Sequence, residues 1–147
     1  MAHIFAADGK PAIIAALNFN SAGIYYEQDA PVVVAKDNWE GVVPHLREAL
    51  ARFAFREANL RETHLDWPSY RASGERSVRR FQANYLLIQV RAVNDAELFY
   101  DASSKPTGEP DISLHVTLNP FGNDEEIGRL LAKLYSACLK WSDVMGE

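Results

Sequence analysis

Residues 81–101, FQANYLLIQVRAVNDAELFYD, read as two strands folded back on each other about Asn94 and Asp95. Positions 82–93 mix β-branched, aromatic and aliphatic side chains, the composition of a strand. At Tyr85, Leu86, Leu87 and Ile88 both alternating faces are apolar, as expected of a strand covered on at least one side. From Gln89 onward the alternation is clean, with Ile88, Val90 and Ala92 on one face and Gln89 and Arg91 on the other. One end of this strand is therefore expected in the core and the other near solvent.

Toward the amino terminus, residues 11–18 (PAIIAALN) and 24–27 (IYYE) form a second expected hairpin around Ser21, Ala22 and Gly23, and residues 32–35 (VVVA) a further strand. Val43, Leu46, Ala49, Leu50, Phe53 and Ala54 then recur at intervals of three and four. That spacing predicts an amphipathic helix running to about Asn59, with Pro44 in its first turn because a proline deeper inside would remove a helical hydrogen bond. Residues 60–80 have no sustained period, contain Pro68 and Gly74, and read as a long connection. Toward the carboxyl terminus, Ile112, Leu114, Val116 and Leu118 alternate with Ser113, His115 and Thr117, a half-buried strand. Asn123 is placed to cap a second helix, with Asp124, Glu125 and Glu126 in its first turn and Ile127, Leu130, Leu131, Leu134, Cys138 and Trp141 as its buried stripe.

The two halves, about 11–59 and 81–145, look alike. Residues 19–27 align without a gap to residues 93–101, and residues 46–53 to residues 127–134. Each half reads as three strands and a helix, the pattern of a duplicated βββα unit. The expected fold class is α+β: a mostly antiparallel sheet of about six strands with both amphipathic helices on one face, forming one domain over residues 1–147.

Composition narrows the function classes. With 48% hydrophobic and 24% charged residues the chain can build an ordinary core. One cysteine, Cys138, leaves no internal disulfide, and no run approaches the ~20 apolar residues of a membrane span or resembles a signal peptide, so the expected location is cytoplasmic, with no membrane partner. The net charge of −5 is unevenly spread: residues 1–51 carry three basic and six acidic groups, residues 52–80 seven and four, and residues 81–147 five and ten. An acidic chain repels nucleic acid and attracts basic partners. In the basic middle, Trp67, Tyr70, Arg71, Arg76, Arg79 and Arg80 supply ingredients of a single-strand surface, but Glu62, Asp66 and Glu75 interrupt them.

No nucleophile elbow, phosphate loop, dinucleotide fingerprint or metal-ligand motif occurs, so no catalytic residue, metal site or cofactor is expected. His45 and Glu48 share one side of a helix, but two ligands do not make a site. His64 and Asp66 lie on one side of an extended segment and are the candidates for an alternative reading as a small-ligand or metal-dependent enzyme domain. His115 is expected on the outer face of its strand and His3 at a mobile end. Cys138, on a buried stripe with nothing to lower its pKa, is no nucleophile. The surface candidates are the acids Asp95, Glu97, Asp101, Glu109, Asp111, Asp124 and Glu125, edged by Tyr100, with Trp67 and Tyr70 as aromatic anchors.

In size, acidic charge and strand–helix order the chain resembles the immunity proteins that neutralise delivered bacterial toxins, such as those of contact-dependent growth inhibition. The resemblance implies an inhibitor that binds one cognate toxin domain, commonly a basic nuclease, and covers its active site. A structural or chaperone-like module, acting as a homodimer, is the remaining alternative.

Overall fold

The structure, a computed structural model, describes residues 1–57, 67–93 and 99–145. Its order is β1 (Ala2–Ala6), β2 (Ala12–Phe19), β3 (Tyr25–Glu27), β4 (Val32–Val34), α1 (Trp39–Ala51), β5 (Ala54–Phe55), α2 (Pro68–Ser73), α3 (Val78–Asn84), β6 (Leu86–Ala92), β7 (Tyr100–Ser104), β8 (Leu114–Leu118) and α4 (Asp124–Met145). The fold is α+β. One sheet runs β3–β2–β1–β6–β7–β8, antiparallel along this path, with β4 also on β2 and the two-residue β5 parallel to the end of β2.

The expected central hairpin exists as β6 and β7, paired from Ile88–Ser104 to Ala92–Tyr100; its turn around Asn94 and Asp95 lies outside the described residues. Its first strand begins later than expected. Phe81 and Gln82 belong to α3, where the Ser77 hydroxyl accepts from Arg80 N at 3.2 Å and caps the helix. The apolar run from Tyr85 is therefore shared between two elements: Tyr85 closes a helix-side cluster, and the strand starts at Leu86.

The amino terminus departs most from expectation. It is not a mobile end but the strand at the middle of the sheet, with Ile4 facing both Ile14 of β2 and Ile88 of β6. Ala2 and Ile4 are fully buried, and burying an isoleucine of this kind stabilises by about 1.5–3 kcal/mol. Five residues are too short a run for periodicity to mark, and their partners stand ten and more than eighty positions away. About β1 and β6 the topology is symmetrical: three antiparallel strands and then a helix on each side, the third strand of the first half being broken into β3 and β4. The aligned segments 19–27 and 93–101 accordingly do not occupy equivalent strands, because β2 answers to β7 rather than to β6.

Helices α1 and α4 pack on each other and on one sheet face, as expected. Val42, Val43, Leu46 and Ala49 from α1 and Ile127, Leu131, Leu134 and Cys138 from α4 meet Ile4, Ile14, Ile88, Val90 and Leu118. The helix ends differ from expectation. Asn38 starts α1, its side-chain oxygen accepting from Gly41 N at 3.0 Å, so Pro44 lies inside the helix; and α1 stops at Ala51, releasing Phe53 into the loop and Phe55 into β5. Trp141 is 39% exposed rather than buried. The 60–80 connection is not without structure: its described part, from residue 67, holds α2 and the first turn of α3, which cover part of the opposite sheet face.

Candidate functional site

On the opposite sheet face, alternation presents His3 and Phe5 from β1, Ile13, Ala15 and Leu17 from β2, and Leu87 and Gln89 from β6. The short helices cover only a portion of it. Phe81 and Tyr85 close over Phe5 and Ile13, and Trp67 meets Phe5 and Phe81 edge-on at ring separations of 5.8 and 5.0 Å. Lys10 pairs with Glu75, which also accepts from Asn84 at 3.0 Å, tying this cap to the β1–β2 turn.

Where the cap ends at Trp67, a cleft of about 700 Å³ opens above Leu17, His3 and Leu87. β3 and the following turn form one wall with Tyr25, Tyr26, Glu27 and Gln28, and Arg52 and Arg56, just past α1, form another. Gln28 stitches these walls together: its amide nitrogen reaches the Arg52 carbonyl at 2.7 Å and Asn18 Oδ1 at 3.1 Å. Tyr26 donates its hydroxyl to the Arg56 carbonyl at 2.8 Å.

Glu27 is the buried charge of the cleft. One carboxylate oxygen accepts from Trp67 Nε1 at 2.8 Å, the other from Ser69 N at 2.9 Å, and His3 Nδ1 stands 3.8 Å away. Burial alone would push this carboxyl up, but the hydrogen bonds from His3, Trp67 and Ser69 outweigh it and hold the group below the usual carboxylate range. The arginines are in a different state: among the described residues neither the Arg52 nor the Arg56 guanidinium has an ion-pair partner.

Beside the cleft the same face carries an aromatic cluster. Phe19 stacks on Phe53 at 5.2 Å, meets Phe55 edge-on at 5.3 Å and lies 6.2 Å from Tyr25. Ile24, Tyr25 and Phe55 are 49%, 51% and 55% exposed. These residues were hidden by the expectation of a long helix, because Phe53 fits its three-and-four spacing. The alternation in Phe53, Ala54 and Phe55 was the available signal for a strand.

The expected acidic surface is divided. Asp124 pairs with Arg47 of α1, whose other nitrogen donates to the Gly122 carbonyl at 2.8 Å, so this carboxylate fastens α4 to α1. Glu125 is exposed in the first turn of α4. Glu109 and Asp111 lie in the loop leading into β8, at the opposite end of that strand from α4, on the order of 15 Å away for five residues. Asp101 is on the solvent face of β7, 3.2 Å from Arg91 and 3.8 Å from His115, whereas its neighbour Tyr100 packs toward the helices. Trp67 and Tyr70 are held in the cap. Asp95, Glu97, His64 and Asp66 lie outside the described residues. His45 and Glu48 approach to 3.7 Å, but among the described residues no three metal-binding side chains converge. Cys138 is fully buried, and burial pushes its thiol up despite a hydrogen bond with Ser104. No helix of the described residues is long and apolar enough to cross a membrane.

No protein-family model matches the chain, and no curated protein matches it. Among solved structures it is similar to the Protein of Unknown Function NMB0488 from Neisseria meningitidis, with a TM-score of 0.71 over 93% of each chain at 18% identity. At that identity the likeness is one of fold.

Proposed function

We propose that this chain is a protein-binding inhibitor of the immunity type, which neutralises a cognate toxin domain by docking on it and covering its active site. The observation that carries the reading is the exposed Tyr25 and Phe55 clustered with Phe19 and Phe53, with exposed Ile24 next to Tyr25 in the chain and Arg52 and Arg56 flanking Phe53 and Phe55. Large apolar side chains left in water side by side are costly unless something covers them, and aromatics with arginine are the residue types that dominate protein interfaces. The net charge of −5 supplies long-range attraction for a basic toxin domain. In this proposal the contact is centred on the aromatic cluster, and the separated acids at Glu109, Asp111 and Glu125 steer the encounter.

The test is to look for a toxic carboxyl-terminal domain in the reading frame directly upstream and to co-express it with this chain, scored by growth. The unmodified chain should restore growth, and the double variant I24S/F55S should fail to, with its affinity for the purified toxin domain weakened at least about thirtyfold. Both residues are exposed, so a melting curve close to that of the unmodified chain is expected. Undiminished rescue by I24S/F55S sinks the docking surface. A chain that self-associates through this cluster in light scattering, and rescues nothing, is instead the dimeric module.

A further inference from the structure

We infer that the cleft beside Trp67 is a binding site for a small organic anion that carries a flat ring. This goes beyond the docking reading, since it concerns the interior of the cleft, which shares Tyr25, Arg52 and Arg56 with the docking surface but not Ile24 or Phe55. Its volume, about 700 Å³, lies within the ~300–1,000 Å³ of small-molecule sites. The lining has the parts such a ligand requires: Phe5, Leu17 and Leu87 give an apolar floor, Trp67 gives a ring, and Arg52 and Arg56 give two cations. A ring would bury itself against the floor while its acidic group met the guanidiniums, which can grip a carboxylate or phosphate with paired hydrogen bonds.

The charges within the cleft leave that role open. Two carboxylates belong to the lining, and neither answers the arginines. Glu27 has both oxygens engaged by Trp67 and Ser69, with His3 alongside. Asp29 is turned outward, 92% exposed, with Arg71 at 3.9 Å. Among the described residues the two guanidiniums of the lining therefore have no ion-pair partner, in a chain that is acidic overall.

Titration calorimetry with four probes separates the parts of the ligand: AMP and indole-3-acetate as ring-bearing anions from two sources, inorganic phosphate as an anion without a ring, and adenosine as a ring without charge. At least one of the first two is expected to bind with a Kd below about 1 mM, and phosphate and adenosine at least about tenfold more weakly. Which of AMP and indole-3-acetate binds tells a nucleotide from an aromatic acid. The exposed substitutions R52Q/R56Q should weaken binding at least about tenfold, whereas I24S/F55S, outside the cleft, should leave it unchanged. Amide shifts in NMR should centre on Tyr26, Gln28 and the Trp67 indole. No saturable binding of either ring-bearing anion up to about 10 mM, equal binding by phosphate, undiminished binding by R52Q/R56Q, or shifts centred elsewhere overturns the proposal. Loss of toxin rescue in I24S/F55S with anion binding intact would show the two proposals to be separate.

Discussion

At the scale of single residues, Glu27 shows how hydrogen bonds offset the cost of burying a charge. Its two oxygens satisfy an indole N–H and a backbone N–H that would otherwise be orphaned under the cap. Replacing it with glutamine sets an amide N–H against one of these donors, and Glu27→Gln is expected to lower stability at neutral pH by about 1–3 kcal/mol in urea denaturation. The pH dependence has a definite sign. Because the folded-state pKa is depressed, this contribution is complete above the unfolded value near 4.5 and disappears as the pH falls through the folded value. The gap between the unmodified chain and Glu27→Gln should therefore narrow as acid is added below about pH 4.5, and a constant gap would show that the carboxylate charge is not what matters. None of this was visible in the sequence, where Glu27 is one acid after two tyrosines. Asp124 illustrates the reverse: its place at a helix start was legible, but its partner, Arg47, is seventy-seven positions away.

At the scale of elements, α1 and α4 cross closely because Gly128 lies against the start of α1. A methyl group on Gly128 would stand 2.8 Å from the carbonyl carbon and oxygen of Trp39 and from the nitrogen of Glu40. In an isolated helix Gly→Ala gains about 1 kcal/mol. Here the collision is with backbone, which cannot swing aside, and overpacking of this kind costs about 1–3 kcal/mol. Gly128→Ala is expected to lower the melting temperature, and a rise would mean that the two helices are free to separate. The helices themselves were readable from their periodic stripes, and so were β6, β8 and the Asn123 cap, whose side chain accepts from Glu126 N at 2.8 Å. The end of α1 was not. Phe53 fits a helical stripe and also the alternation of a short strand, and the choice was made by β2, where Phe19 pairs with Phe55. The short helices α2 and α3 escaped for a similar reason: six and seven residues show too few turns for a period, and their apolar side chains matter only because Phe5 and Ile13 lie beneath them.

At the scale of the whole molecule, the two halves meet within the sheet along β1 against β6, so the first six residues hold the sheet together. A chain starting at Ala7 loses the partner of both β2 and β6 and should show no cooperative melt; one that still melts within about 5 °C of the full chain would place the stability elsewhere. The same architecture makes the candidate surfaces. The aromatic cluster joins the end of β2, the start of β3 and the chain leaving α1, and the cleft joins these to β1, β6 and α2. By itself the sequence determined the α+β class, the amphipathic helices, the central hairpin and the acidic balance, because alternation, helical spacing and charge act between near neighbours. Only the tertiary structure decided that the amino terminus is central, that the described acids are divided, and that a cleft lined by two arginines without an ion-pair partner among the described residues adjoins an exposed aromatic cluster. A local pattern fixes which way a side chain points from its own element, whereas a site depends on which distant elements come to stand opposite it.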